Sequence, residues 1–315
     1  MFKLNLKKII FKCICLLSRK DIFMLDILLH KLMVAGESSE NKNYAYWEQA
    51  THNWRNAPSP IRPSKGDIAI YTELFEQTKH KEKILILGST PELRDLAAGA
   101  IKSSVCLADS SYRIPAKMLA FTNHVDPLRE TWIKGDWLDL PLPQSSFNII
   151  LGDLVLEQLS PDKELFFLSR MHSLLKKNGV FIGRFHFTDN AVIHKTIDEV
   201  IRSTLKGIGN EVEKFLLLKL RLRMLYADSA RRHIALDDCL RDLAHYIKTK
   251  THAGALLDRT QRALEQNREF NRTWCPPDEN TLKEILRQSF TIAGIQVAVD
   301  YEEAYQYPIV VLTLK

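Results

Sequence analysis

The densest run of chemically useful residues is Leu87-Gly88-Ser89-Thr90-Pro91-Glu92-Leu93. Gly88 ends a short apolar stretch and permits a sharp turn or a close backbone approach. Thr90 is a favoured helix N-cap, Pro91 suits the first helical position, and Glu92 suits the positive first turn. A helix start of this kind leaves N–H groups open to a carboxylate, and it is equally the makings of an ordinary strand-to-helix turn. No glycine-lysine-serine ending follows, so the turn is not a P-loop. Asp109 stands 21 residues after Gly88, at the end of a second apolar run. An acidic side chain there can accept both hydroxyls of a ribose; an N-cap or a solvated loop carboxylate is the plain alternative. In Lys134-Gly135-Asp136-Trp137, the carboxylate can accept the exocyclic amine of an adenine and the indole can cover its ring. A turn aspartate beside a core tryptophan has the same sequence. His186 follows a later apolar run and is the first candidate for a general base, set against a histidine tucked at a sheet edge. Trp47, Arg184, Tyr301 and Tyr305 are candidates to shape a pocket for a second ligand.

These residues need a frame, and the apolar pattern supplies one. Lys83–Leu87, Ser104–Ala108, Phe147–Leu151 and Val180–Phe185 are short, continuous apolar runs, as expected of central strands covered on both faces. Gly88, Asp109, Gly152-Asp153 and His186 follow their ends. Helical stretches separate them, so the spacing predicts βαβ units and a largely parallel sheet. Ser64 should cap a helix carrying Ile68, Tyr71, Leu74 and Phe75 on one face. A helix ahead of the fourth run should close on Lys176-Lys177-Asn178-Gly179. Residues 189–275 break the rhythm: they are long, charged and helix-favouring, with Lys219, Arg221 and Arg223 facing either solvent or an acidic ligand. Asp278 should cap a short helix to Arg287, and strands Thr291–Val299 and Pro308–Leu314 close the chain. The expected division is an amino-terminal helical extension over 1–45, a nucleotide-binding core over 46–188, a helical insertion or lid over 189–275, and the rest of the core over 276–315.

Composition narrows the classes. The chain has 315 residues, is 45% hydrophobic and carries a formal net charge of +6, a globular and mildly basic profile that falls short of a nucleic-acid signature. Cys13, Cys15, Cys106, Cys239 and Cys275 are odd in number and lack metal-ligand spacing, which points away from a disulfide framework or a zinc site and toward a reducing, cytoplasmic compartment. Residues 1–17 mix four lysines with apolar residues over a stretch too short to span a bilayer. They read as a helix packed on the domain or as a peripheral membrane contact.

Taken in order, these features resemble the class I S-adenosylmethionine (SAM)-dependent methyltransferases, and among them a bacterial branch whose first motif reads Leu-Gly-x-Thr-Pro-Glu-Leu. Trp47, Trp54 and Arg62-Pro63 ahead of that motif, Gly135-Asp136-Trp137 after it, Gly152-Asp153 and a final hairpin extend the likeness over about 46–315. The resemblance implies an α/β Rossmann-like fold with a seven-stranded sheet of order 3-2-1-4-5-7-6. It also implies SAM as cofactor: Gly88, Ser89 and Thr90 against its methionine part, Asp109 on the ribose, Asp136 and Trp137 on the adenine, Asp153 near the amino group, and Arg62 on the carboxylate. A small molecule or a protein side chain would be the methyl acceptor. The sequence departs from the pattern in having Leu85 and Ile86 where an acidic residue is usual, and a single glycine in the first motif. The residues alone therefore leave two other readings open, a nucleotide-dependent oxidoreductase and a non-catalytic relative acting through partners. Oligomeric state is not legible in the sequence.

Overall fold

The computed structural model describes residues 51, 53–189, 196–207, 209–250, 254–269 and 272–315. The amino-terminal extension, with Cys13 and Cys15, and Trp47 lie outside the described residues.

Four of the expected strands form as parallel neighbours, joined by a fifth at Glu130–Lys134 that the apolar pattern did not mark. Strands β1 (Lys83–Leu87), β2 (Ser104–Asp109), β3 (Glu130–Lys134), β4 (Phe147–Asp153) and β5 (Leu175–Arg184) are joined by β8 (Phe290–Gln296) and β9 (Ile309–Leu314) in one seven-stranded sheet. Its order is β3-β2-β1-β4-β5-β9-β8. Strand β9 runs antiparallel to β5, and β8 antiparallel to β9. Strands β6 (Ala227–Asp228) and β7 (His233–Ile234) form a separate ribbon, so the sheet has the order expected from the sequence once that ribbon is set aside. It is a Rossmann-like α/β sheet.

Alternation along β1 explains the three layers. Ile84 and Ile86 pack on one face with Tyr71 and Phe75 of α1 (Lys65–Gln77) and Leu93 and Ala97 of α2 (Pro91–Ala98). Leu85 and Leu87 pack on the other face with Phe167, Leu168 and Met171 of α4 (Glu164–Leu174) and Leu282 and Leu286 of α9 (Glu279–Ser289). A short helix α3 (Arg113–Met118) follows β2. Between β5 and α9 lie α5 (Ile197–Lys206), α6 (Glu211–Leu225), α7 (Leu236–Thr249) and α8 (Ala255–Glu269). These four share a core of their own, with Ile201, Leu218, Leu222, Cys239, Leu243 and Leu264 buried together. The alternating apolar and basic residues of α6 make a helix, as its leucine-rich composition favours. None of the described helices is long and apolar enough to cross a membrane.

Local capping separates good sequence signals from weaker ones. Ser64 and Asp67 make a full capping box at α1, and Asp278 accepts from Thr281 N at α9. Thr90 occupies the N-cap position of α2, but its side chain makes no cap bond. The helix expected to close on Lys176-Lys177-Asn178-Gly179 ends at Leu174, and those four residues belong to β5. Leu175 pairs with Phe147 and Val180 with Ile149, a register shift that accommodates Asn178 at φ 67°.

Two arginines, Arg94 and Arg184, are fully buried, and Arg184 stands at the end of β5. Its Nε donates to Asp153 Oδ1 at 2.7 Å, one terminal nitrogen to Asp67 Oδ2 at 2.7 Å, and the other to Pro60 O at 2.9 Å. Burial alone would lower its pKa, but Asp153 and Asp67 raise it, so it stays charged. Tyr71 completes the cluster: its hydroxyl accepts from Arg184 N at 2.7 Å and donates to Gly152 O at 2.6 Å. Replacing Arg184 by methionine strands two buried carboxyls. Chemical denaturation of Arg184→Met should show a loss of about 3–5 kcal/mol; a loss under about 1 kcal/mol would mean that the two acids relax without the guanidinium.

Candidate functional site

The carboxyl ends of β2, β1 and β4 lie side by side, where the strand order reverses between β1 and β4; in open α/β sheets this is where ligands bind. Gly88 leaves β1 at φ 82°, a left-handed conformation that glycine adopts without strain. A Cβ placed on it would lie 3.6 Å from Trp137 Cζ2, so the indole stands directly over this turn. Trp137 is fixed there by Nε1 donating to Ala108 O at 2.9 Å, and its ring leans on Phe167 with centroids 6.2 Å apart. Asp136 caps the short turn Trp137–Asp139 that follows it, its Oδ1 accepting from Leu138 N at 3.0 Å.

Asp109 ends β2 with its carboxylate turned back on the first motif. Ser89 Oγ donates to its Oδ2 at 2.6 Å. Burial pushes this carboxyl up to about 6, with the Ser89 bond pulling the other way. Asp153 ends β4; burial raises it to about 6 against the opposing pull of Arg184. Gly88, Ser89, Thr90, Asp109, Asp136, Trp137, Asp153 and His186 all line one cavity of 1690 Å³. That exceeds the roughly 300–1,000 Å³ typical of single small-ligand sites, leaving room for two ligands.

Three other expected residues are placed elsewhere. Arg62 lies at the start of α2, where its guanidinium is engaged by Glu92, and it does not line the cavity. Arg184 is the buried ion-pair centre described above, beneath the site instead of in its wall. Tyr305 is exposed; its hydroxyl donates to Asp189 Oδ2 at 2.7 Å and accepts from Gln306 Nε2 at 2.9 Å, away from the cavity. Tyr301 is likewise absent from the cavity wall. Of the three basic residues noted on α6, Lys219 and Arg223 line the cavity, whereas Arg221 pairs with Glu302 and Glu303 in the β8–β9 connection.

Two residues, Tyr307 and Glu157, lie against His186. The imidazole stacks on Tyr307 with ring centroids 4.2 Å apart, and its Nε2 has no hydrogen-bond partner. Burial pushes its pKa down to about 3, with the Arg184 and Arg223 charges acting in the same direction. At neutral pH it is an uncharged ring with little basicity. Glu157, which sequence reasoning passed over, accepts from His186 N at 2.7 Å through Oε1, while its Oε2 is buried without a partner. Burial pushes its carboxyl up to about 8, so near neutrality it holds a proton. The one sequence signal for it is position, four residues past Asp153 in the turn after a central strand.

The insertion is fastened to this rim. Arg232, in the ribbon turn, donates to both oxygens of Glu164 at 3.2 and 2.6 Å. Arg272 donates to Gln158 Oε1 at 3.0 Å, and Trp274 Nε1 to Glu157 O at 3.1 Å. Trp54, Ile114 and Met118 supply an apolar part of the cavity on the other side. Among the described residues no group of three or more His, Cys, Asp or Glu side chains is placed to hold a metal ion.

No protein-family profile matches the chain, and no curated protein does. Solved structures share its fold. A protein of Rhodobacter sphaeroides described as a Zn-dependent alcohol dehydrogenase is 16% identical, with a TM-score of 0.53 over 88% of this chain and 100% of that one. The 1,6-didemethyltoxoflavin-N1-methyltransferase of Burkholderia thailandensis, solved with 1,6-didemethyltoxoflavin and S-adenosylhomocysteine, is 14% identical, with a TM-score of 0.50 over 87% and 88%. Likeness at this level speaks for a common fold, on which different chemistries are carried.

The two perturbed groups make opposite demands on pH. Glu157 is raised from 4.5 to about 8, so its contribution to stability is complete below pH 4.5 and is lost as pH rises through 8. His186 is lowered from 6.5 to about 3, so its contribution is present above pH 6.5 and is lost as pH falls toward 3. Melting temperatures of wild type and Glu157→Gln should coincide near pH 4 and separate by several degrees near pH 9, with the variant the more stable. His186→Gln should flatten the acid limb below about pH 6. Profiles parallel to wild type across the whole range would show that neither group is perturbed.

Proposed function

We propose that the chain is a SAM-dependent methyltransferase acting on a small-molecule or protein acceptor. The observation that carries this reading is convergence: the start of α2, the Asp109 carboxylate and the Asp136–Trp137 corner face one cavity at the point where strand order reverses. The residues present fit the cofactor. The turn at Gly88 lies beneath an indole, a buried carboxylate oriented by Ser89 stands at the end of the neighbouring strand, and a second buried carboxylate, Asp153, stands at the end of the other.

In this reading Asp109 would accept the ribose hydroxyls, Asp136 and Trp137 would hold the adenine, and Ser89, Thr90 and Asp153 would hold the methionine part. Arg62 is left out of it, because it is bonded through Nε to Glu92 and through a terminal nitrogen to Arg55 O and does not line the cavity. When bound, SAM would supply an electrophilic methyl group carried on a sulfonium, with the neutral thioether as the leaving group. The chain's own work is alignment and exclusion of water. Arg184 holds Asp153 in place and the ion pair Arg232–Glu164 holds the insertion, which would serve as a lid, against the rim. Neither His186 nor Glu157 is a strong base at neutral pH, which suits an acceptor that arrives already nucleophilic.

Isothermal titration of the full chain with S-adenosylhomocysteine tests the assignment. Binding in the micromolar range is expected, and Asp109→Ala should weaken it by about tenfold or more. Absence of heat at high micromolar ligand, or binding of NAD in its place, would overturn the methyltransferase reading in favour of a non-catalytic relative or an oxidoreductase.

A further inference from the structure

The two walls of the cavity differ in charge. The sheet side contributes Asp109, Asp136, Asp153 and Glu164 and the protonated Glu157, against two lysines, Lys134 and Lys163, a balance that suits a ligand with a cationic sulfonium and amine. The insertion contributes Lys219, Arg223, Arg232, Arg259, Arg262 and Arg272 and not one Asp or Glu. Arg232 is bound to Glu164 and Arg272 to Gln158; the other four lie on α6 and α8 with no acid lining the cavity beside them, which is not the pattern of a solvated helix face, where signs alternate.

Spacing shows how this comes about. Lys219 and Arg223 are four apart on α6, and Arg259, Arg262 and Gln266 are three and seven apart on α8, so each set occupies one helix face. The two faces meet where Arg259 lies over the Phe215 ring, 4.2 Å from its centroid. Asn267, next on α8, is 1% exposed, lines the cavity, and has a side-chain Nδ2 with no hydrogen-bond partner. A buried, unpartnered donor in a cationic wall calls for an acceptor atom from outside the chain. Leu216, Leu220 and Met224 lie between these groups on α6, so the wall is apolar as well as basic.

We infer that the α6–α8 wall binds the oxyanion of the methyl acceptor, and that the acceptor is a small organic acid with an apolar body. The inference deepens the methyltransferase reading and rests on it for the word acceptor; the anion site itself stands on the wall's charge and on Asn267. Guanidinium groups hold carboxylates and phosphates by paired hydrogen bonds, and the apolar residues between them take up a ring or short chain. The acidic sheet side repels such a ligand from the cofactor's half and fixes its direction of entry. An already ionised acceptor also matches a site whose nearest titratable groups supply little base.

The test uses the full chain, first alone and then saturated with S-adenosylhomocysteine, titrated with 2-naphthoate, 2-naphthyl phosphate and the neutral 2-naphthamide. At least one of the two anions should bind about tenfold tighter than the amide, and its affinity should fall as sodium chloride is raised. Whichever anion is preferred identifies the headgroup. The double variant Arg259→Gln, Arg262→Gln should lose about tenfold in anion affinity while amide and S-adenosylhomocysteine affinities stay within about twofold, a change of under half a kcal/mol on the tenfold scale. Equal binding of amide and anions, no binding of either anion, or an unchanged preference in the variant would each overturn the inference. If S-adenosylhomocysteine fails to bind while the anion preference and its loss in the variant persist, the anion site stands and the methyltransferase reading falls.

Discussion

The site depends on a positive charge that never meets solvent. Arg184 draws together Asp67 at the start of α1, Asp153 at the end of β4 and the carbonyl of Pro60 in the segment leading into the fold. Each is a different layer or edge of the domain. An isolated guanidinium in such a place would be expensive, and so would either carboxylate; together they are tolerated, and each fixes the direction of the others. Asp153 therefore faces the cavity in one orientation only. Tyr71, bonded to Arg184 N and Gly152 O, carries the same constraint from α1 into the ends of β4 and β5.

Around that centre the domain separates charge by element. Strand ends and the turns that follow them bring carboxylates, because short acidic residues cap turns and helix starts well, as Asp136 does for Leu138. The inserted helices bring lysines and arginines, whose long stems cover the leucines of α6 while their heads reach inward. The result is a cavity with poles, one made by the parent sheet and one by the segment inserted into it. Bonds across the seam, Arg232 to Glu164 and Arg272 to Gln158, keep the poles at a fixed separation.

Much of this was legible in the sequence. Apolar runs ending at Gly88, Asp109 and Gly152-Asp153 located the strand ends, since a buried parallel strand has few ways to be written. Residues next to strand ends were placed together correctly for the same reason: Ser89 and Asp109 are bonded, and Trp137 reaches Ala108. What the sequence hid was direction. Nothing in Val180–Phe185 tells whether Arg184 points up into a pocket or down between two acids, and that choice separates a wall residue from a buried brace. Arg62 was misplaced because Glu92, already assigned to the positive first turn of α2, also meets the guanidinium. Glu157 and the α8 arginines were missed because a turn carboxylate and a basic helix are commonplace until their neighbours are known. The end of α4 was drawn too late because a lysine pair and a glycine imitate a helix stop, whereas here they belong to a bulged strand.

Strand β9, the last described strand in sequence order, lies between β5 and β8. Asp300, in the connection just before it, accepts from Ser64 Oγ at 2.7 Å and Gly66 N at 2.9 Å, steadying the first turn of α1. A ribosome making this protein releases the parallel half of the sheet with the outer side of β5 still unpaired, and the helix that presents Asp67 to Arg184 still lacks its distal clasp. Nascent chains thus stay open-edged until β9 itself has emerged, a window in which a chaperone or a neighbouring polypeptide competes for the gap that β9 will fill.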